Sequence, residues 1–153
     1  MANTYSQVYI QVVFSVKYRQ SLINESARVD IQKYICGIIK HHECKPISIY
    51  CNPDHTHILI GLKPNISISD LVKEIKSKST KYINENRIIP CRFRWQNGYG
   101  VFSYSHSQVS RVAQYIENQA EHHNRKNFRE EYIRMLEKSQ IEYNPQFLFN
   151  SLE

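Results

Sequence analysis

Apolar and polar residues alternate over Tyr5 to Lys17. Val8, Ile10, Val12 and Phe14 fall on one side and Tyr9, Gln11 and Val13 on the other, a period of two that predicts a long strand. From Glu25 to about His42 the period changes. Val29, Ile31, Tyr34, Ile35, Ile38 and Ile39 recur at helical spacing behind Asn24, a suitable N-cap. Ile47 to Cys51 reads as a strand that Asn52-Pro53-Asp54 turns into a second one, His55 to Leu62, so the two should form a hairpin. Beyond Pro64, Ser69 is expected to cap a helix from Asp70 to about Glu85, with Leu71, Val72, Ile75, Tyr82 and Ile83 facing a core. Arg92 to Gln96 and Val101 to Ser103 read as irregular strand bent at Gly98 and Gly100. Ser105 and Gln108 form a capping box before a helix from Val109 to Ala120, and a last helix spans about Phe128 to Lys138.

In order, these elements give an α+β fold, a ferredoxin-like β-α-β-β-α-β core with helical additions. Such a core stacks two helices on one face of an antiparallel sheet and leaves the other face open. No repeat, low-complexity stretch or linker divides the chain, so residues 1–153 are expected to form a single domain. Its core covers about 5–130, with a C-terminal helix and tail over about 128–153.

The strand Asp54-His55-Thr56-His57-Ile58-Leu59-Ile60 carries candidate chemistry. Side chains on a strand alternate between faces, so His55, His57 and Leu59 share one face, while Thr56, Ile58, Ile60 and Leu62 share the other. The apolar set belongs under the helices, which leaves two imidazoles side by side on the open face, close enough to hold one metal ion. Two nitrogens make an incomplete site. On the helix from Val109, an apolar stripe of Val109, Val112, Ala113, Ile116 and Ala120 has Tyr115 and Gln119 beside it, four residues apart and one above the other. A tyrosine hydroxyl next to an amide oxygen suits joint delivery of a nucleophile and a last metal ligand.

The segments Asn52-Pro53-Asp54-His55-Thr56-His57-Ile58-Leu59, Trp95-Gln96-Asn97-Gly98-Tyr99-Gly100-Val101-Phe102-Ser103 and Tyr115-Ile116-Glu117-Asn118-Gln119-Ala120-Glu121-His122-His123 resemble successive signatures of the single-tyrosine HUH transposases of small bacterial insertion sequences, the IS200-like transposases. Val12-Val13-Phe14-Ser15-Val16-Lys17-Tyr18-Arg19 is similar to that family's first strand. The four motifs occur in the family's order and span most of the chain. One departure is Thr56, where the family has a bulky hydrophobe; a β-branched residue still suits a strand.

The resemblance implies a transposase that cleaves and rejoins single-stranded DNA at hairpin-bearing element ends, through a 5′-phosphotyrosine and a free 3′-OH. It implies Tyr115 as nucleophile and a homodimer in which the helix bearing Tyr115 and Gln119 docks on the partner's histidine strand. A phenol with a pKa of about 10 is a weak nucleophile at neutral pH and needs help. A divalent ion on His55, His57 and Gln119 would supply it, and this nitrogen and oxygen set suits Mn²⁺ or Mg²⁺.

Composition adds less. The chain of 153 residues has 20 Lys plus Arg against 14 Asp plus Glu, a formal charge of +6, which favours a polyanionic partner. Lys73, Lys76, Arg92 and Arg94 are candidates for phosphate contacts, with Phe93 and Trp95 as candidate base-stacking rings. No run reaches the length of a membrane span and no signal-peptide pattern opens the chain, so a cytoplasmic protein is expected. Cys36, Cys44, Cys51 and Cys91 lack C-x-x-C spacing, as expected of reduced and mostly buried thiols. Two other readings stand beside the transposase: a domesticated relative that processes chromosomal repeats, and a non-catalytic module binding single-stranded nucleic acid on its open sheet. A module of that kind displays aromatics on its central strands, where this chain displays histidines.

Overall fold

Four strands pair into one antiparallel sheet in the order β2-β3-β1-β4, where β1 is Tyr9–Ser15, β2 Lys45–Cys51, β3 His55–Gly61 and β4 Gly100–Tyr104. This computed structural model describes residues 3–123 and 127–148. Between the strands run α1 (Glu25–His41) and α2 (Ile68–Glu85), and after them α3 (Val109–Glu117), α4 (Gln119–His123) and α5 (Phe128–Lys138). The β-α-β-β-α-β order and the strand arrangement are those expected of a ferredoxin-like core.

The register sorts side chains by face. Val12 lies opposite Ile58, Ile10 opposite Ile60 and Phe14 opposite Thr56, and this side packs under α1 and α2 with Ile31, Ile35, Ile39, Leu71 and Ile75 in a fully buried core. The Asn24 side chain accepts from the Ala27 amide and starts α1 as expected. The α2 start differs: Ser67, not Ser69, caps it, and the helix begins at Ile68. The first strand is shorter than its alternating pattern, because β1 pairs only from Tyr9 to Ser15.

The aromatics between α2 and β4 also differ from expectation. Phe93 and Trp95 lie in the main core, at 0% and 7% exposure, and Trp95 donates its Nε1 hydrogen to Ser79 Oγ at 2.9 Å. They hold the Arg92–Gln96 segment down and have no free face for a base. Lys76 is likewise an anchor: its ammonium donates to the Gln96 and Gly98 carbonyls, and burial lowers its pKa to about 8. Lys73, Arg92 and Arg94 are exposed. Cys44 and Cys51 are buried, Cys36 half-buried and Cys91 exposed, all as free thiols. Among the described residues, no helix is long and apolar enough to cross a membrane.

The second face of the sheet is not open. It carries Gln11, Val13 and Ser15 of β1, His55, His57 and Leu59 of β3, and Phe102 of β4. Helix α3 lies across β2 and β3, with Ser48 Oγ donating to the Ala113 carbonyl at 3.4 Å. Helix α5 covers the rest: Phe128 and Leu136 join Val13 and Phe102 in a separate small core. That cover follows from composition, since Val13, Leu59 and Phe102 interleave with the polar groups and would otherwise face water. Gly100 makes the close approach possible; a Cβ there would stand 2.7 Å from the Tyr132 ring of α5.

Candidate active site

The hairpin Asn52-Pro53-Asp54 fixes the first half of the site. The Asn52 amide donates to the His55 carbonyl at 2.7 Å, and the Asp54 carbonyl accepts from Val16, so the end of β3 is tied to β1. His55 and His57 then project side by side, ring centroids 5.1 Å apart. They are 1% and 0% exposed, not facing solvent as expected from the sequence. Each ring has a partner on its inner nitrogen. His55 Nδ1 lies 2.7 Å from Asp54 Oδ1, and His57 Nδ1 lies 2.9 Å from Gln11 Nε2, itself held by the Tyr104 hydroxyl through Oε1 at 2.8 Å. Such partners fix ring orientation and leave both Nε2 atoms aimed at one point, the arrangement a metal site requires.

At that point stands Glu131 of α5. Its Oε1 lies 3.2 Å from His55 Nε2 and 3.1 Å from His57 Nε2, and its Oε2 accepts from the Tyr115 hydroxyl. Tyr115 meets the His57 ring edge-on at 5.8 Å. Gln119 is 1% exposed; its Oε1 accepts from Asn52 at 3.0 Å and its Nε2 lies 3.3 Å from Glu131 Oε2. Phe128 closes the top, stacked on His55 at 4.0 Å. The structure therefore brings together all four residues singled out from sequence. Lys73, Arg92 and Arg94 stay outside this cluster, and Lys76 is spent on the 96–98 bend.

Two details depart from expectation. The helix expected through Ala120 is interrupted at Asn118, so Tyr115 lies in the last turn of α3 while Gln119 opens α4; the Gln119 Nε2 still reaches the Tyr115 carbonyl at 3.4 Å. Glu131 was absent from the candidate set. A signal for it exists: Phe128, Tyr132, Met135 and Leu136 form the inward stripe of α5, and Glu131 sits within that stripe, a charge where an apolar residue is due.

The electrostatics follow from the crowding. Burial alone would raise the Glu131 pKa, but hydrogen bonds to His55 and His57 and their charge outweigh it and hold the carboxyl far below its usual range. Burial disfavours charged His55, yet its hydrogen bonds to Asp54 and Glu131 leave its pKa raised. Tyr115 is pushed well above its ordinary value, first by burial and then by the Glu131 carboxylate. His55, His57 and Glu131 offer two nitrogens and an oxygen within 4.8 Å of one another, a donor set that fits a divalent cation.

A buried histidine pair beside a tyrosine and a carboxylate, carried on a ferredoxin-like sheet, makes a centre whose donors suit a divalent cation. Residues 4–119 match the sequence family described as transposase IS200 like, and the chain belongs to that family. It is similar to the ISDra2 transposase TnpA of Deinococcus radiodurans, 23% identical over 118 residues that make up 74% of this chain and 84% of that protein. It is similar also to the transposase for insertion sequence element IS200 of Salmonella typhimurium, 23% identical over 127 residues, or 79% of this chain and 82% of that one. Among solved structures, a candidate transposase from Deinococcus radiodurans matches with a TM-score of 0.63 at 21% identity, over 78% of this chain and 95% of that one. A REP-associated tyrosine transposase bound to a REP hairpin matches with a TM-score of 0.60 at 14% identity, over 80% of this chain and 73% of that one. Helix α5 and Glu131 lie beyond the segment that matches the family.

Proposed function

We propose that this transposase cleaves and rejoins single-stranded DNA through a phosphotyrosine on Tyr115. The observation that carries the reading is the convergence of Tyr115, His55 and His57 on one point, Glu131. Tyr115 Oη attacks phosphorus, the bond from phosphorus to the 3′ oxygen breaks, and that oxygen leaves as a 3′-OH once it takes a proton. The new phosphodiester retains the energy of the old bond, so another 3′-OH can displace the tyrosine and join DNA without ATP.

His55 and His57 would hold a divalent ion, Mg²⁺ or Mn²⁺, with an oxygen from Gln119, as the resemblance implies, or from Glu131, whose Oε1 lies 3.2 and 3.1 Å from the two Nε2 atoms. Such an ion supplies charge neutralisation for the transition state. Asp54 and Gln11 keep the imidazoles in line, and Asn52 links His55 to Gln119 at 3.0 Å on each side. Glu131 and a scissile phosphate are both anions that call for the same neighbours. DNA entry therefore requires α5 to shift, and with Glu131 gone from its side the Tyr115 hydroxyl loses one cause of its raised pKa.

Hairpins near the ends of a mobile element are the substrates in this reading, supported by the REP-hairpin complex of the structural relative. A repeat-processing relative uses the same chemistry, and the sequences flanking the gene separate the two. Tyr115 meets the histidines of its own chain here. The homodimer implied by the resemblance would exchange α3 and α4 between two copies, and two tyrosines would serve the two cleavages that excision needs. The direct test is a denaturing gel after incubation with labelled single-stranded DNA and Mn²⁺. A covalent adduct made by the parent and absent from Tyr115→Phe is expected; full adduct from the variant would move the nucleophile elsewhere.

A further inference from the structure

Next to the catalytic cluster lies a cavity of about 180 Å³, the size of a single ring system and well below that of a drug-sized ligand. Ser15, the cross-strand neighbour of His55, forms part of its floor, and Phe128, stacked on His55, separates it from the catalytic centre. Its other walls include the rings of Tyr99 and Phe147, 38% and 80% exposed. The floor is polar: Ser15 Oγ donates to Gln96 Oε1 at 3.1 Å, and Gln96 Nε2 donates to the Leu148 carbonyl at 2.9 Å. Both side chains are more than nine-tenths buried. Gln96 and Asn97 also line a second, wider groove whose far side carries Lys73 and Arg94. Both cations are exposed, and neither is in an ion pair among the described residues.

An aromatic slot with an amide floor, joined to a basic groove and bordering a site that acts on phosphodiesters, has the chemistry of a single-strand subsite. We propose that the cavity receives one unstacked nucleobase of the DNA strand beside the scissile phosphate, and that the phosphates further along lie against Lys73 and Arg94. The base stacks on Tyr99 and Phe147, and the Gln96 amide exchanges its bond to the Leu148 carbonyl for one to the base edge. Stacking tolerates any base and the amide offers either a donor or an acceptor, so this subsite grips without reading much sequence. Lys76 contributes as the anchor of the 96–98 bend that carries the floor.

The inference rests on the single-strand reading of the active site, and the experiment separates the two. The parent protein is first checked for covalent adduct with a random single-stranded DNA pool and Mn²⁺, which reports on the active-site reading. Affinity is then measured by anisotropy with fluorescein-labelled 20-nucleotide oligothymidine, and an oligothymidine carrying 5-iodouracil is photocrosslinked and mapped by mass spectrometry. Tyr99→Ala should weaken binding about tenfold, the size of one lost base–aromatic stack. The double variant Lys73→Ala/Arg94→Ala should lower the slope of log affinity against log salt by about 1.4, from two lost phosphate contacts. Crosslinks should fall on Tyr99 or Phe147. All three substituted residues are exposed, so the variants fold. Parent-like affinity in both variants, crosslinks confined to other residues, or no oligothymidine binding by the parent would overturn the subsite; adduct formation by the parent would leave the active-site reading standing.

Discussion

The two faces of the sheet are equally buried and built from opposite materials. Under α1 and α2, Val12, Ile58, Ile60, Leu71 and Ile75 have almost no exposure and no polar atom to satisfy. Under α3 and α5, Gln11, His55, His57, Asn52 and Gln119 are just as buried, and each must find a hydrogen-bond partner or cost several kcal/mol. They find one another and Glu131. The apolar face holds through the area it removes from water, and it tolerates any packing of the right volume. The polar face holds through specific pairs, so only one arrangement closes it, and that arrangement orients the groups proposed to carry chemistry.

Substitutions on each face should separate these two kinds of stability. Ile58→Ala should cost about 2–5 kcal/mol of global stability and lose all activity with the fold, as denaturant unfolding would register. His57→Ala should abolish Mn²⁺ binding, measured by calorimetry, and strip Glu131 of one partner. Hydrogen exchange should then quicken in α5 while α1 and α2 keep their protection; global loosening would mean the polar face carries more of the fold than its small apolar cluster suggests.

Whether that polar face is closed by its own chain or by a second copy can be decided by mixing. Tyr115→Phe subunits and His55→Ala/His57→Ala subunits are each expected to be inactive. Cleavage restored on exchange into heterodimers would mean that α3 and α4 of one chain serve the histidines of the other. No recovery in confirmed heterodimers would assign the site to single chains.

A pH series sharpens the comparison further, because Val12, Ile58, Ile60, Leu71 and Ile75 have nothing to titrate and burial pushes the Cys51 thiol of that face up to about 12. Glu131 has a lowered pKa in the fold, so its contribution is complete above its ordinary value of 4.5 and lost as pH falls toward the lowered one. His55 has a raised pKa, so its contribution is complete below 6.5 and lost as pH rises through the raised value. In chelator, α5 should be best protected from exchange between these limits and slacken on both sides; protection flat across that range would deny the ion pairing. The smallest effect is expected from Gly100→Ala. Its Cβ would press on Tyr132, displacing α5 at a cost of about 1–3 kcal/mol, with faster exchange confined to that helix.

The core face was legible because its signals are periodic: alternation in β1 and β3 and helical spacing in α1 and α2 survive in the structure, save that Val8 falls outside β1 and Val29 of α1 is exposed. His55 and His57 were legible for the same reason, and Tyr115 with Gln119 through the order of motifs. What escaped depends on contacts between residues far apart in the chain. His57 and Glu131 are 74 positions apart, and no local spacing links them. The second face read as open because a β-α-β-β-α-β core stacks its helices on one side of the sheet only, while Val13, Leu59 and Phe102 on that face asked for a cover. Phe93, Trp95 and Lys76 looked like parts of a nucleic-acid surface because aromatic and basic types alone do not reveal which way a side chain points.

The order of parts along the chain has a consequence during synthesis. All four strands and the His55–His57 pair lie within residues 9–104, while Tyr115, the proposed nucleophile, and its half-buried carboxylate neighbour Glu131 come later. Domains fold as they emerge, at about 5–20 residues per second in translation. The strands of a nascent chain are thus all made before Tyr115 and Glu131 are added. On the proposed reading, a product cut short after β4 would keep the histidine pair and lack the nucleophile, so the gene delivers the scaffold before the blade.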